Sequence, residues 1–239
     1  MSRTKVKILE MGKNKDSFHA AGRNQKTRVK SARGRRSSST RWLQRQLNDP
    51  FVASARSAGF RSRAAWKLIQ LDEKTQFLSH GARIVDLGAA PGGWSQVLSN
   101  RIKSGNIVAI DVLEIEPIAG VQIIQGDVSE RGISGKIVEA LGGSPDIVLS
   151  DMAAPTTGHR QTDHLRTMHL CEIALDFAIE NLNHGGTVVA KVFQGGTQSA
   201  MLAGIKPLFE NIKHVKPAAS RKESPETYLV AKGFKKNSS

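Results

Sequence analysis

One stretch decides the fold: Arg83-Ile84-Val85-Asp86-Leu87-Gly88-Ala89-Ala90-Pro91-Gly92-Gly93-Trp94. Its first five residues form a short, mostly apolar run that is typical of a buried strand. A glycine loop follows, and a helical pattern runs from Trp94 to about Ile102. A strand, a glycine loop and a helix in this order bring backbone N–H groups close to a nucleotide-like ligand at the carboxyl end of a sheet. An ordinary tight turn would give the same stretch, so the rest of the chain must decide between the two interpretations.

The loop differs from the dinucleotide-binding pattern G-x-G-x-x-G. Asp86 lies at the end of the predicted strand, and Pro91 interrupts the loop. This form suits a ligand that carries a cationic centre and no pyrophosphate. S-adenosylmethionine, with its positively charged sulfonium, is such a ligand.

The positive charge of the chain is concentrated at its start. The 239 residues suit one α/β domain with extensions, and the net charge is +14. Residues 1–41 hold 13 Lys or Arg against two acids, a balance of +11, whereas the remaining residues hold 22 against 19, a balance of +3. A basic tail on a nearly neutral core indicates a polyanionic partner, most simply nucleic acid. A tail that serves only solubility is the alternative.

Composition also predicts the domain organisation and the compartment. Residues 1–36 nearly lack large apolar side chains, so we predict a disordered basic tail there and a folded domain over residues 37–239. The single cysteine, Cys171, lies in a helical pattern, which favours core packing over a catalytic thiol and fits a reducing compartment. We find neither an apolar run of the ~20 residues that span a bilayer nor the apolar core of a signal peptide. We therefore expect a soluble, cytoplasmic protein and a monomer.

Strand and helix patterns alternate along most of the chain. Strands are predicted at 83–87, 107–111, 121–124, 146–151, 187–193, 212–215 and 228–231. Helices are predicted at 42–47, 51–58, 63–77, 94–102, 137–141 and 163–182, with one more that ends at Phe209. This alternation predicts an α/β fold with a mostly parallel sheet and helices on both of its faces.

Acidic residues follow four neighbouring strands of this predicted sheet: Asp86, Asp111, Asp127 and Asp151. Because the carboxyl ends of parallel strands meet at one edge, we expect these side chains on one rim. Asp111 follows Asp86 by 25 residues, where nucleotide-binding folds place an acid on the ribose hydroxyls. A single aspartate is often only a helix cap or turn residue, but four together favour a shared ligand site.

Lys191 lies inside an otherwise apolar strand pattern. A lysine in a buried strand must be paired, lose its proton or extend its ammonium group to solvent. Burial and a nearby cation both lower the pKa of a lysine, which would suit a general base near neutral pH. Lys67 is the candidate for that cation, Asp151 for a balancing anion and Glu226 for a group that orients a lysine. A solvent-facing lysine on an edge strand is the alternative.

Several motifs occur in one order and carry a resemblance to a known family. The motifs are Asp86-Leu-Gly-Ala-Ala-Pro-Gly-Gly-Trp94-Ser-Gln, Ser150-Asp151-Met152-Ala153, Lys191-Val192-Phe193-Gln194-Gly195 and Ser220-Arg-x-x-Ser-x-Glu226-x-Tyr228, with Arg41-Trp42-Leu43 and Arg61-Ser62-Arg63-Ala64 before them. From about residue 37 to 233 the chain resembles the FtsJ-type ribose 2′-O-methyltransferases, and most closely their bacterial members that act on large-subunit ribosomal RNA. The basic tail is longer than the family leads us to expect.

The resemblance implies a fold, a cofactor and a substrate. The fold is the Rossmann-like class I S-adenosylmethionine-dependent methyltransferase sandwich, a seven-stranded, mostly parallel sheet between helices with one antiparallel strand. The family's cofactor-binding positions fall on Gly92, Trp94, Asp111, Asp127 and Asp151, and its catalytic tetrad on Lys67, Asp151, Lys191 and Glu226. Its substrate is the 2′-hydroxyl of a uridine in 23S rRNA within the assembled 50S subunit. No metal is implied, and the seven histidines are scattered along the chain.

The residue pattern and the resemblance suggest one mechanism. In this hypothesis Lys191 is the proton acceptor for the 2′-hydroxyl, Asp151 holds Lys191, and Lys67 and Glu226 position the ribose, so that alignment supplies most of the rate. One rival is a 2′-O-methyltransferase for transfer RNA or a messenger RNA cap. Another is an RNA-binding ribosome-assembly factor with a vestigial cofactor site. A nucleotide-dependent oxidoreductase is disfavoured by the loop at Pro91.

Overall fold

The computed structural model describes residues 37–155, 157–193 and 198–236. The predicted tail lies outside these residues, as do Gln194 and Gly195 of the third motif. The helices are α1 (Ser37–Leu47), α2 (Pro50–Ser57), α3 (Ala64–Thr75), α4 (Gly93–Arg101), α5 (Ile133–Leu141), α6 (Arg160–Asn181) and α7 (Gln198–Ile205), with a 3₁₀ turn at Lys206–Leu208. The strands are β1 (Ile84–Leu87), β2 (Ile107–Asp111), β3 (Gln122–Gln125), β4 (Ile147–Ser150), β5 (Thr187–Phe193), β6 (Phe209–Val215) and β7 (Glu226–Phe234).

The chain separates into two compact units, and the first ends at Arg63. Within this unit, Asp49 begins α2 as its N-cap, because its carboxylate accepts a hydrogen bond from the N–H of Phe51 at 3.0 Å. Pro50 takes the first helical position, where a missing N–H costs nothing. Arg63 pairs with Asp49 at 2.5 Å and lies over the Phe51 ring, so one arginine ties down the start of the helix.

The second unit contains a seven-stranded sheet in the order β3-β2-β1-β4-β5-β7-β6. Strands β1 to β5 run parallel to one another, and β7 is antiparallel to both β5 and β6. The predicted mostly parallel sheet with one antiparallel strand is therefore confirmed. The strand order reverses between β1 and β4, and open α/β sheets bind ligands at the carboxyl ends of the strands beside such a point.

The central strands are buried throughout, which explains their continuous apolar runs. Strands β1 and β4 are buried at every residue, whereas the edge strand β3 is half exposed. Helix α6 covers β4 and β5, and Cys171 on this helix is only 2% exposed. Burial raises the pKa of the Cys171 thiol to about 12, so this cysteine packs in the core as predicted.

The last two strands are longer than predicted. Strand β6 begins at Phe209, where we expected the end of a helix, and β7 extends from Glu226 to Phe234. The helix α7 ends at Ile205, and the 3₁₀ turn containing Pro207 follows it. The first residues of β6 could not be recognised from the sequence, because the strand lies at the edge of the sheet and carries polar residues on its exposed face.

Candidate active site

Four charged side chains meet at the carboxyl end of the sheet. Lys67 comes from α3, Asp151 follows β4, Lys191 lies near the end of β5 and Glu226 begins β7. Lys191 Nζ lies 2.6 Å from Asp151 Oδ1, and Lys67 Nζ lies 2.9 Å from Glu226 Oε1. The diagonal pairs are longer, at 3.6 Å for Lys67 to Asp151 and 3.5 Å for Lys191 to Glu226. Each lysine thus faces both carboxylates, and the structure brings together all four residues of the predicted tetrad.

The strand order explains how this cluster forms. Lys191 is 6% exposed, and a charge buried to that extent is very costly unless it is paired. Strand β4 delivers Asp151 from one side of β5, and the main-chain oxygen of Asp151 also accepts a hydrogen bond from Lys191 Nζ at 2.8 Å. Strand β7 lies on the other side of β5, with Phe193 opposite Glu226 and Lys191 opposite Tyr228. Lys191 is thus enclosed by two carboxylates and not exposed at a sheet edge.

The electrostatics correct one prediction. Burial lowers the pKa of Lys191, but Asp151 and Glu226 raise it by more, so its pKa stands above the ordinary lysine value. The expectation that burial and Lys67 would depress this pKa was wrong, because the sequence could not show how close the two carboxylates lie. Burial also works against ionisation of Asp151, but Lys191 and Lys67 together hold its pKa at about 2. Without a ligand, the site therefore holds Lys191 as an ammonium beside ionised Asp151.

Glu226 is held in its charged form in the same way. Burial raises the pKa of Glu226, and Lys67 and Lys191 lower it by more, so its pKa is below the ordinary value. The Oγ of Ser220 donates a hydrogen bond to Glu226 Oε1 at 2.7 Å, and Ser220 is itself buried. The cluster thus contains two ammonium groups and two carboxylates.

Tyr228 is a part of the site that the sequence analysis named only within a family motif and gave no role. It is fully buried, and its hydroxyl donates a hydrogen bond to Asp151 Oδ1 at 2.5 Å. Its ring lies 5.7 Å from Lys67 Nζ and 5.8 Å from the Trp94 ring. Burial and the carboxylates Asp151 and Glu226 raise the pKa of Tyr228 well above its usual range, so it remains a donor. The signal in the sequence was its position two residues after Glu226, on the same face of one strand.

A cavity of about 640 Å³ opens at the carboxyl ends of strands β1 to β4. Asp111, Asp127 and Asp151 line it, as do Val112 and Leu113, which are 58% and 65% exposed. The two oxygens of Asp111 accept hydrogen bonds from the N–H groups of Ala90 and Leu113, which fixes the carboxylate at the rim. Three of the predicted cofactor-binding residues therefore share one cavity.

The glycine loop borders this cavity through Gly88 and Ala90. Gly88 has φ +71°, and a Cβ there would lie 2.3 Å from Met152 Cγ, so this position requires glycine. Gly92 caps α4 with φ 103°, and Trp94 is buried with its Nε1 donating to the main-chain oxygen of Ala64 at 2.8 Å. Neither Gly92 nor Trp94 lines the cavity, so their contact with a cofactor stays a prediction.

Asp86 does not join the other strand-end acids at the rim. It is 1% exposed, and its Oδ2 accepts a hydrogen bond from Ser95 Oγ at 2.6 Å. Burial raises the pKa of Asp86 to about 7, although the Ser95 hydrogen bond works in the opposite direction. The expected rim of four acids therefore contains three, because Asp86 points into the interior toward α4.

A second cavity of about 1220 Å³, the outer cavity, lies on the other side of the tetrad. Lys191 and Glu226 line it, whereas Asp151 lines the first cavity. Ala153 and Ala154, which follow β4, line both cavities and form their shared wall. Two ligand-sized spaces thus meet at one cluster of four charged groups, an arrangement suited to transfer between two bound molecules.

The lining of the first cavity fits S-adenosylmethionine. Its three carboxylates suit a ligand with cationic groups and ribose hydroxyls, and the exposed Val112 and Leu113 suit a flat base. Its volume is in the usual range for small-molecule sites. Among the residues that the structure describes, no group of three or more His, Cys, Asp or Glu is placed to hold a metal ion.

Comparison with known proteins shows the family of the chain. Residues 60–234 match the FtsJ-like methyltransferase family, and the chain belongs to this family. The protein named ribosomal RNA large subunit methyltransferase E from Parvibaculum lavamentivorans is 51% identical over 94% of this chain and 92% of its own length. Its namesake from Paramagnetospirillum magneticum is 52% identical over 95% and 96%. A crystal structure from Plasmodium falciparum, described as a ribosomal RNA methyltransferase, has a TM-score of 0.65 at 34% identity, covering 73% of this chain and 98% of its own.

The hydrogen bond from Tyr228 generates a prediction about acid stability. Tyr228→Phe removes a buried donor to a charged acceptor, which we expect to cost about 1.5–3 kcal/mol at pH 7. The depressed pKa of Asp151 stabilises the fold above the unfolded value of about 4, and this contribution is lost as the pH falls toward 2. The difference between variant and wild type should therefore shrink at pH 3. Urea unfolding at both pH values measures it, and an equal difference at both would contradict the assigned bond.

The buried Asp86 predicts the opposite pH dependence. Because its folded-state pKa is raised to about 7, the folded protein loses stability as the pH rises from about 4 through 7. Asp86→Asn retains an acceptor for Ser95 and removes the ionisation. We expect this variant to gain stability over wild type at pH 8, by at most about 4 kcal/mol, and to gain less at pH 5, by at most about 1.6 kcal/mol. Thermal unfolding at the two pH values provides the check, and a gain independent of pH would refute the interpretation.

Proposed function

We propose that this chain transfers a methyl group from S-adenosylmethionine to the ribose 2′-hydroxyl of a uridine in 23S rRNA, in the assembled 50S subunit. The observation that carries the proposal is the position of the tetrad where the two cavities meet. Relatives about half identical to this chain are named ribosomal RNA large subunit methyltransferase E, which supports a ribosomal RNA substrate. The net charge of +14 supports a polyanionic partner.

The proposal assigns the first cavity to the cofactor. When bound, S-adenosylmethionine supplies an activated methyl group on a sulfonium. Asp111 and Asp127 would hold its polar groups. Asp151, which belongs to the tetrad, would line the end of the cavity where the methyl group is transferred. Gly92 and Trp94 remain assigned to the cofactor by family resemblance.

The outer cavity receives the ribose in this proposal. Lys191 Nζ accepts the proton of the 2′-hydroxyl, which leaves the oxygen as the nucleophile. Lys67 and Glu226, paired at 2.9 Å, hold the sugar in position, and Asp151 holds Lys191. Because the ammonium form of Lys191 dominates the ligand-free site, only a small fraction of the protein has the neutral amine at pH 7. The lysine must therefore lose its own proton before it can act as the base.

The proposal extends to the setting of the reaction. Among the described residues, no helix has the length and apolar character needed to cross a membrane. Cys171 is buried and free of a disulfide, which suits a reducing compartment. We propose a monomer that acts in the cytoplasm on the ribosomal subunit.

The role of Lys191 predicts a definite pH profile. As the pH rises, the neutral fraction of Lys191 grows, so we expect the rate of methyl transfer to increase through the alkaline range without a plateau below the ordinary lysine pKa. Lys191→Arg keeps the positive charge and never deprotonates, so it separates a base from a cationic positioning group. We expect it to lose about 10²- to 10⁴-fold in kcat, with cofactor affinity nearly unchanged. A wild-type rate for Lys191→Arg would exclude the base assignment.

The substrate is tested by transfer of a tritiated methyl group. The protein is offered 50S subunits from a strain lacking the enzyme, free 23S rRNA and transfer RNA, and the labelled nucleotide is mapped after nuclease digestion. We expect one labelled 2′-O-methyluridine, in 50S subunits. Label on transfer RNA would replace the proposed substrate with the rival one. Cofactor binding without label in any RNA would favour a role in ribosome assembly.

A further inference from the structure

An aromatic pair lies in the outer cavity, just beyond the tetrad. Phe193 follows Lys191 by two residues on β5, so both side chains lie on one face of the sheet, about 6.6 Å apart along the strand. The His164 ring, from the first turns of α6, lies 6.4 Å from the Phe193 ring at an interplanar angle of 39°. Both residues are half-buried and line the outer cavity. A ligand that reaches Lys191 through this cavity therefore passes beside two rings.

Apolar surface continues beside this pair. Leu165 lines the same cavity and is 53% exposed, which makes it one of the few large apolar side chains exposed to this extent among the described residues. A site that contacted only sugar and phosphate would gain nothing from aromatic and apolar walls. Nucleobases stack on such surfaces, and single-stranded RNA is commonly recognised in this way.

Basic side chains surround the apolar part of the cavity. Arg160, Lys216 and Lys222 line it. Lys216 Nζ donates hydrogen bonds to the main-chain oxygens of Lys222 and Ser224, so it also shapes the loop before β7. Outside the tetrad, these three cations face two acids: Glu223, and Asp163, which also accepts hydrogen bonds from Thr157 and Gly158 and holds its own loop. The wall is therefore net positive, as contact with phosphates on either side of a base requires.

We propose that His164 and Phe193 hold the base of the target nucleotide while its ribose lies against Lys191 and Glu226. The inference rests on the proposed function, because it takes the tetrad as the place of the ribose. The rings lie within a cavity and not on an open surface, so a paired base must leave its helical stack to reach them. The aromatic pair is thus a substrate-binding element, separate from the charged groups that handle the proton.

The test compares two probes so that phosphate contacts cancel. The full-length protein is titrated with a fluorescein-labelled nine-residue uridine oligonucleotide and with a strand of equal length built from stable abasic ribose units. Fluorescence anisotropy gives the ratio of the two affinities. We expect wild type to prefer the base-bearing strand by roughly 5- to 100-fold, the range of one stacked base. Basic residues elsewhere in the chain contact both strands alike.

The variants separate stacking from side-chain volume. Phe193→Leu removes the ring and should lose most of this preference, whereas Phe193→Tyr keeps the ring and should retain it. His164→Leu should reduce the preference, and His184→Leu, at an exposed turn residue away from the cavity, should not. A thermal unfolding midpoint within a degree of wild type establishes that each variant folds. An equal ratio for wild type and Phe193→Leu would overturn the inference, as would a wild-type ratio near one.

Methyl transfer separates this inference from the proposed function. For the labelled RNA substrate, Phe193→Leu should raise KM by a similar factor and leave the affinity for S-adenosylmethionine unchanged. A wild-type protein that labels no RNA would refute the proposed function, and the affinity ratio would still decide the role of the rings. Transfer by wild type with an unchanged KM in both Phe193→Leu and His164→Leu would refute the base-binding role alone.

Discussion

The pairing of Lys191 constrains the structure around it. This ammonium lies in a strand that is buried along nearly its whole length, and it can remain charged only with Asp151 and Glu226 beside it. Lys67 then balances the second carboxylate. Such a buried cluster contributes little net stability, but loss of one partner leaves a buried charge unpaired and costs roughly 3–5 kcal/mol. The cluster therefore ties α3, β4, β5 and β7 to one arrangement.

The antiparallel direction of β7 is what allows Glu226 to pair with Lys191. Because β7 is antiparallel to β5, its first residue, Glu226, lies opposite the last residue of β5, at the carboxyl edge of the sheet. A parallel strand in this position would begin at the opposite edge and would carry Glu226 away from Lys191. The same register places Tyr228 opposite Lys191, within reach of Asp151. One antiparallel strand thus completes a site that the parallel strands only begin.

The sequence predicted the fold and the members of the tetrad, but not the electrostatics of the site. Apolar patterns report what lies along one strand or helix, which is why the sheet could be inferred and Lys191 could be recognised as a lysine within an apolar strand. The pKa of Lys191 depends on carboxylates from two other strands, whose distances no local pattern contains. Asp86 was misplaced for a similar reason, because its inward direction depends on Ser95 from α4. The role of Tyr228 was not predicted because a tyrosine in a strand is ordinary.

In the proposed function, the two cavities separate recognition of the RNA from the chemistry. Lys191 and Asp151 are held by ion pairs within a rigid sheet, whereas Phe193 lies at the end of β5 and His164 near the start of a helix. Substitutions at these outer positions can change which RNA segment is bound without breaking an ion pair of the tetrad. Substitutions in the tetrad change the charge that every neighbour experiences. With these proposed roles, the fold can vary its substrate at the outer cavity while the tetrad remains as it is, because the two sets of residues share a strand but not their contacts.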